Sequence, residues 1–119
     1  MTETEKLVET ITAGIQEKKG SGIVVADLRN IDGAIAKYFV ICQGNSPMQV
    51  EAIAESVGDM ARERLQEKPT HVVGLETAQW VAMDYVDVMV HIFLPETRAF
   101  YDLENLWHEA PLRRVADVD

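Results

Sequence analysis

Apolar positions near the N-terminus recur at intervals of three and four, which predicts a short amphipathic helix. Its apolar stripe consists of Leu7, Val8, Ile11 and Ile15. Thr2 and Glu5 have the spacing of a capping box, and Gly20 provides a stop. The continuous apolar run from Ile23 to Ala26 then predicts a strand that is covered on both faces. A second apolar run, from Tyr38 to Cys42, predicts the next strand.

The middle of the chain has the pattern of a long helix between strands. Ser46 is placed as an N-cap and Pro47 as the first helical residue, and the helix is expected to continue to about Lys68. A strand, a helix and a strand in succession form the βαβ arrangement, whose two strands usually run parallel. Three strands are predicted after the helix: His71 to Leu75, Gln79 to Asp84 and Asp87 to Phe93.

The C-terminal part of the chain predicts one more helix, from Pro95 to about Trp107. Its apolar stripe consists of Phe100, Leu103, Leu106 and Trp107. These elements together predict a single α/β domain over residues 1–111, with a small mixed sheet of about five strands and helices packed on it. Residues 112–119 are expected to form a flexible tail.

The stretch from Gln79 to Phe93 predicts a hairpin with two chemically different faces, because successive side chains of a strand alternate. We place the chain reversal at Tyr85 and Val86. One face is then aliphatic and consists of Val81, Met83, Val88, Val90 and Ile92. The other face mixes rings, carboxylates and an imidazole, and consists of Trp80, Ala82, Asp84, Asp87, Met89, His91 and Phe93. The mixed face suits a partner-binding surface, and a sheet covered by helices on both faces would also carry Trp and Phe there.

The charge balance narrows the choice of partner. The chain has 20 acidic and 11 basic residues, with a net charge of -9. Proteins that bind nucleic acid as their main contact depend on Lys and Arg. The acidic balance therefore favours a basic protein partner, and solubility alone is the alternative explanation. The N-terminus lacks the pattern of a signal peptide and no apolar run is long enough to span a membrane, so a cytoplasmic protein is expected.

Residue types that carry chemistry are present but scattered. The turn from Gly44 to Ser46 precedes a helix and is a candidate anion site, although a helix cap and a turn explain the same residues. Asp84 and Asp87 form a close carboxylate pair without an evident third ligand. The three histidines lack metal-ligand spacing, and Cys42 has no evident base beside it. No catalytic residue, metal site or cofactor is therefore predicted.

Four sequence blocks occur in an order and spacing that resemble one known family. They are DLR, KYFVICQGNSPMQVEAIA, WVAMDYVDVMVHIF and RAFYDLENLWHEAP, and they extend from about Ile23 to Pro111. In this order they resemble the Iojap-like ribosomal silencing factors (RsfS). Three positions depart from that family's usual residues: Lys37 replaces Asp, Asn45 replaces Thr, and Val86 replaces Gly in the hairpin turn. A two-residue hairpin turn needs a positive φ, which a β-branched residue resists.

The resemblance implies a fold similar to nucleotidyltransferases but without their catalytic carboxylates. It also implies binding to the large ribosomal subunit through its fourteenth ribosomal protein, at the surface that meets the small subunit. The bound factor would block subunit joining and repress translation. A minor contact with ribosomal RNA and a homodimer are left open by the sequence. The rival interpretations are a nucleotide-binding enzyme that uses the turn from Gly44 to Ser46, and an adaptor with a non-ribosomal partner.

The predicted function requires no chemistry, because the factor would act by occupying the subunit contact. The hairpin would supply an apolar centre and acidic groups, and the last helix would complete the surface, with Trp107 placed either there or in the core. The partner-binding residues predicted on this basis are Trp80, Asp84, Tyr85, Asp87, Met89, His91, Phe93, Arg98 and Tyr101.

Overall fold

The computed structural model of the chain describes residues 1–106 and 110–118. Helices and strands follow one another along these residues, and a 3-10 turn, Leu103–Asn105, lies between the last helix and the last strand. The elements are α1 (Glu3–Glu17), β1 (Ser21–Asp27), β2 (Tyr38–Gln43), α2 (Pro47–Leu65), β3 (His71–Val73), β4 (Trp80–Asp84), β5 (Val88–Phe93), α3 (Pro95–Tyr101) and β6 (Leu112–Val115).

The strands form one mixed sheet in the order β3-β4-β5-β2-β1-β6. Neighbours β2 and β5 are parallel, and the other neighbouring pairs are antiparallel. The two strands that flank α2, β2 and β3, run in the same direction, as the βαβ arrangement predicts, but β5 and β4 lie between them. The predicted mixed α/β class is therefore confirmed, and the described residues form a six-stranded sheet where about five strands were expected.

The sixth strand corrects the prediction of a flexible tail, because Leu112–Val115 pairs antiparallel with β1. Past this strand the Gln16 side-chain amide donates to the carbonyl of Ala116 at 2.9 Å. The Gly22 N–H donates to the Asp117 carboxylate at 3.1 Å. Strand pairing uses backbone groups that every non-proline residue carries, so it does not require an apolar pattern.

Two helices end earlier than the sequence pattern predicts. Gln66 and Asp102, the residues after α2 and α3, have φ values of 55° and 50°, which is the left-handed conformation that terminates helices. The prediction that α3 continues to about Trp107 is wrong, and Trp107 itself lies outside the described residues. Within residues 1–106 and 110–118, no helix has both the length and the apolar character needed to cross a bilayer.

The two faces of the sheet are covered unequally. Helices α1 and α2 pack together over one face and form the larger core with it. The second core, on the opposite face, consists of Ala26, Leu28, Phe39, Ile41, Phe93 and Ala110. Irregular segments cover it, since Ile31, Ala34 and Leu103 pack against these residues. The opposite face is therefore sealed over its middle strands, and β4 at its margin is less covered.

Candidate functional site

The β4–β5 hairpin sorts its side chains as predicted, with the exception of Asp87 in the turn. The aliphatic face lies in the larger core and consists of Val81, Met83, Val88, Val90 and Ile92. Trp80 pairs with Phe93, and Asp84 pairs with Met89. A reversal at Tyr85 and Val86 would have paired Trp80 with His91, so the register is displaced by two residues. Both faces survive this displacement because side chains alternate with a period of two. We call the other side the hairpin face: Trp80, Ala82, Asp84, Met89, His91 and Phe93.

Trp80 is the centre of an aromatic cluster on the hairpin face. Its ring lies 5.0 Å from that of Phe93 on β5 and 4.7 Å from that of Tyr101 on α3, between ring centroids. The Trp80 indole N–H donates to Nδ1 of His91 at 3.1 Å. The Phe39 ring also contacts the His91 ring, with 4.6 Å between the ring centroids. The cluster therefore runs from a buried end at Phe39 to an accessible end at Tyr101.

His91 is held in its neutral form. Burial lowers the pKa of His91 to about 4, because the charged ring would lose its hydration. Since Nδ1 accepts the bond from Trp80, the proton of the neutral ring is on Nε2. That atom is buried and has no hydrogen-bond partner among the described residues. His91 therefore acts as an uncharged anchor for the Trp80 side chain.

Three predicted contact residues are buried, which contradicts their assignment as direct contacts. Phe93 is 0% exposed and His91 is 4% exposed, because the second core covers the inner part of the hairpin face. Tyr85 lies in the larger core on the opposite side of the sheet, and burial raises the pKa of its hydroxyl to about 12. Phe93 and His91 instead support Trp80 from beneath.

Arg98 is also placed differently from the prediction. Two nitrogens of its guanidinium, Nε and Nη2, donate to the carboxylate of Glu104, a residue that follows α3 in the chain. The same group donates to the carbonyl of Gly22 at 2.7 Å and to the Gln43 side chain at 3.2 Å. Gly22 has a φ of 60°, and a Cβ there would lie 2.5 Å from Arg98 Nη1, so glycine allows this close approach. Arg98 is therefore a structural link from α3 to β1 and β2.

The two hairpin carboxylates have separate roles in the turn. Asp84 is half-buried on the hairpin face, and its Oδ1 accepts from the Val86 N–H at 2.8 Å. The Asp87 carboxylate lies 3.8 Å from Lys37 Nζ and 3.5 Å from the Thr4 hydroxyl at the start of α1. Asp87 thus lies towards the helix-covered side, so its predicted place on the mixed face is wrong. Asp84 is the carboxylate that remains on the hairpin face.

An accessible surface remains at the margin of the hairpin face, and two residues extend it that the sequence analysis missed. Val73 pairs with Ala82 and is exposed at the edge strand β3. Phe100, which the sequence places in the apolar stripe of the last helix, is 80% exposed and packs edge-on against Tyr101 with 5.0 Å between ring centroids. We call this surface the open patch: Val73, Trp80, Ala82, Asp84, Met89, Phe100 and Tyr101. Val73 joins this surface because β3 pairs with β4, and the local sequence pattern does not reveal that pairing.

Val86 carries backbone strain at the tip of the hairpin. Its φ is 75°, and the Asp87 N–H donates to the Tyr85 carbonyl at 3.0 Å, which describes a tight three-residue turn. Positive φ is unfavourable for a β-branched residue. The Val86→Gly variant should therefore raise the free energy of unfolding by about 1 kcal/mol, which urea denaturation measures. The control variant is Val73→Gly, at a similarly exposed valine in a regular strand, and it should lower the free energy of unfolding. Equal effects of the two variants would contradict backbone strain at Val86.

The turn from Gly44 to Ser46 is closed by its own side chains. The Ser46 hydroxyl accepts from the Gln49 N–H at 3.1 Å, as the predicted cap requires. The Gln49 side-chain oxygen accepts from the Asn45 N–H at 2.7 Å, and the Gly44 N–H donates to the Phe93 carbonyl at 2.9 Å. These bonds occupy N–H groups that a bound phosphate would use. The geometry is that of a helix cap.

The remaining candidates for chemistry are dispersed. Within residues 1–106 and 110–118, no three His, Cys, Asp or Glu side chains are grouped to hold a metal ion. Burial raises the pKa of Cys42 to about 12, so its thiol is a poor nucleophile. His71 is exposed on β3, and His108 lies outside the described residues.

Comparison with known proteins gives a consistent result. Residues 1–119 match the family model RsfS, described as "Ribosomal silencing factor during starvation". The chain is 39% identical to the ribosomal silencing factor RsfS of Bacillus subtilis over 116 residues, which cover 97% of this chain and 93% of that protein. It is 32% identical over 74 residues to the chloroplastic protein Iojap of Zea mays, which cover 62% of this chain and 32% of that protein.

Solved structures extend this similarity to the fold. A crystal structure of a Bacillus halodurans protein matches with a TM-score of 0.79 and 33% identity, covering 93% of this chain and 99% of that one. A crystal structure of a Chromobacterium violaceum protein matches with a TM-score of 0.84 and 26% identity, covering 99% of this chain and 94% of that one. The chain therefore belongs to the RsfS family of ribosomal silencing factors, which are regulatory proteins and not enzymes.

Proposed function

We propose that this protein silences ribosomes in the cytoplasm by binding the large ribosomal subunit through its fourteenth ribosomal protein. The bound protein then occupies the surface that the small subunit needs, and translation is repressed without any catalytic step. Membership of the RsfS family supports the ribosomal partner. The net charge of -9 supports a basic partner, since ribosomal proteins are typically basic.

The open patch is the observation that supports this site. It combines accessible aromatic rings with the Asp84 carboxylate, which is the composition of a protein-binding centre. Trp80 is held rigidly from beneath by Phe93 and His91, so little rotamer entropy is lost on binding. A standard interface covers about 800 Å² on each partner, which is enough to exclude another subunit sterically.

Trp80→Ala should weaken binding to isolated large subunits about thirtyfold, because a central aromatic anchor contributes about 2 kcal/mol. Co-sedimentation through a sucrose gradient measures this binding, and circular dichroism verifies that the variant is folded. Trp80→Phe keeps most of the ring and loses the bond to His91, so it should bind better than the alanine variant. Failure of the unchanged protein to co-sediment would refute the ribosomal partner, and equal binding by Trp80→Ala would refute the anchor.

The electrostatic part of the proposal has its own experiment. Asp84→Asn keeps an oxygen to accept from Val86 and removes the charge, so the turn is preserved. Association with large subunits should become slower and less sensitive to salt, with a smaller change in dissociation. Glu63→Gln, an exposed residue of α2 away from the open patch, is the matched control and should leave the rate unchanged. An identical salt dependence in both variants would exclude Asp84 from the interface.

A further inference from the structure

A groove of about 510 Å³ lies on the helix-covered side of the sheet, between α2 and the edge strand β3. Its floor is formed by Ala54, Gly58 and Met83. Val72 and Leu75 form an apolar wall and are substantially exposed. We call this feature the α2 groove. It is on the opposite side of the sheet from the open patch, because Val72 pairs with Met83 of the aliphatic face.

Gly58 at the floor of the α2 groove has no explanation within the described chain. A glycine in a helix interior costs about 1 kcal/mol relative to alanine. Gly14 on α1 has a clear reason, since a Cβ there would lie 2.9 Å from the Val57 backbone where the helices cross. A Cβ on Gly58 would meet only the Met83 methyl at 3.8 Å, an ordinary contact. The missing side chain therefore leaves open space in the groove that the described residues do not fill.

The shape of the α2 groove fits a helix better than a strand. The residues of α2 that line it recur at intervals of three and four over three turns, a length of about 16 Å. They are Glu51, Ala54, Glu55, Gly58, Asp59 and Arg62. An extended peptide would add to β3, whose three residues offer only a short ladder. A helix laid along α2 would use the whole length of the groove.

The rim of the α2 groove carries exposed carboxylates on the first turns of α2, whereas the basic residues Arg62 and Lys68 line it further along the chain. Glu51 and Glu55 are exposed, one turn apart, and have no ion-pair partner in the part of the chain that the structure describes. Asp59, one turn further along, pairs with Arg62 of its own helix. Cationic side chains beside Glu51 and Glu55 would therefore be favoured, and acidic ones repelled.

We propose that the α2 groove docks an amphipathic helix of a partner protein, with an apolar stripe on Gly58 and Met83 and basic residues along Glu51 and Glu55. This surface is separate from the open patch, so an occupant of the α2 groove would leave that patch accessible. The proposal does not depend on the identity of the ribosomal partner.

A helical peptide of about 18 residues, with a leucine and alanine stripe and lysine elsewhere, is the probe. The chemical shift of the Met83 methyl, observed by NMR on protein with labelled methionines, reports occupancy of the groove.

Gly58→Leu fills the groove and should weaken peptide binding at least about tenfold, the effect of losing a hot-spot contact. Ala52→Leu adds similar bulk to α2 outside the groove and should change binding less than about twofold. Gly58→Ala should raise the melting temperature, because the described residues leave room for a methyl group there and alanine favours a helix more than glycine does.

Several results would overturn the proposal. One is absence of binding by the peptide to the unchanged protein, and another is equal binding by a shuffled peptide of the same composition. Equal binding by Gly58→Leu and the unchanged protein would exclude the groove as the site. Sedimentation equilibrium measures the oligomeric state of the protein. A dimer that Gly58→Leu dissociates would make the groove an interface between two copies of this chain instead. Weakened binding by Glu51→Gln/Glu55→Gln, by about threefold or more, would support the basic flank.

Discussion

Replacing Arg98 by methionine should lower the free energy of unfolding by about 3 kcal/mol. Removal of one partner from a buried ion pair leaves the other charge without compensation, which costs about 3 to 5 kcal/mol. The Arg98 and Glu104 side chains are 12% and 18% exposed, so the lower end of that range applies. Methionine keeps the apolar stem, and the loss therefore reports the guanidinium and its bonds to Gly22 and Gln43.

Urea denaturation of the two variants Arg98→Met and Arg62→Met provides the comparison. Arg62 pairs with Asp59 on the surface of α2, where both side chains are about half exposed (52% and 48%). Such pairs contribute about 0.5 kcal/mol or less, so Arg62→Met should be nearly neutral. If the two variants were equally stable, Arg98 would be free to serve as the partner contact that the sequence suggested.

The position of Arg98 illustrates what sequence reasoning does not reach. Its acceptors on Gly22 and Gln43 are distant in sequence and come close only through the order of β1 and β2 in the sheet. An arginine on a short helix next to aromatic residues has the same local pattern whether it binds a partner or supports the fold. Its role therefore depends on long-range packing.

The hairpin shows the part that sequence does predict. Alternation of side chains along β4 and β5 gave the correct faces even though the register was displaced by two residues. The pattern could not show how much of the hairpin face is covered, because the cover comes from irregular segments with no periodicity. Phe93 was therefore expected at a surface and is buried, whereas Tyr101 is half exposed as a contact requires.

The last strand was missed for a different physical reason. Leu112–Val115 has two arginines between two apolar residues, which is neither the alternating nor the continuous apolar pattern of a buried strand. An edge strand needs only the backbone of its neighbour, and charged side chains there discourage further strand addition. The pattern that led to the prediction of a tail is therefore also the pattern of a protected sheet edge.

The stability of the protein should depend on pH through His91. Burial holds the pKa of His91 at about 4 in the folded state, whereas an unfolded chain has about 6.5. Between these values the unfolded state binds a proton that the folded state does not, so acidification favours unfolding. The free energy of unfolding should fall by about 2 kcal/mol from pH 7 to pH 5, and by about 3 kcal/mol once the pH is below 4. Well above pH 6.5 this contribution is constant, because His91 is neutral in both states.

The His91→Asn variant separates this effect from the titration of the carboxylates. The asparagine oxygen lies near the position of Nδ1 and can accept from the Trp80 indole, so the aromatic cluster is retained. Any cost of the substitution itself is independent of pH, and the variant should lose about 2 kcal/mol less than the unchanged protein between pH 7 and pH 5. Denaturation at three or four pH values measures the difference, and NMR of the His91 ring follows its protonation directly. Parallel stability curves, or a His91 ring that titrates near pH 6.5, would mean that Trp80 rests on a solvated imidazole and that the open patch lacks its rigid support.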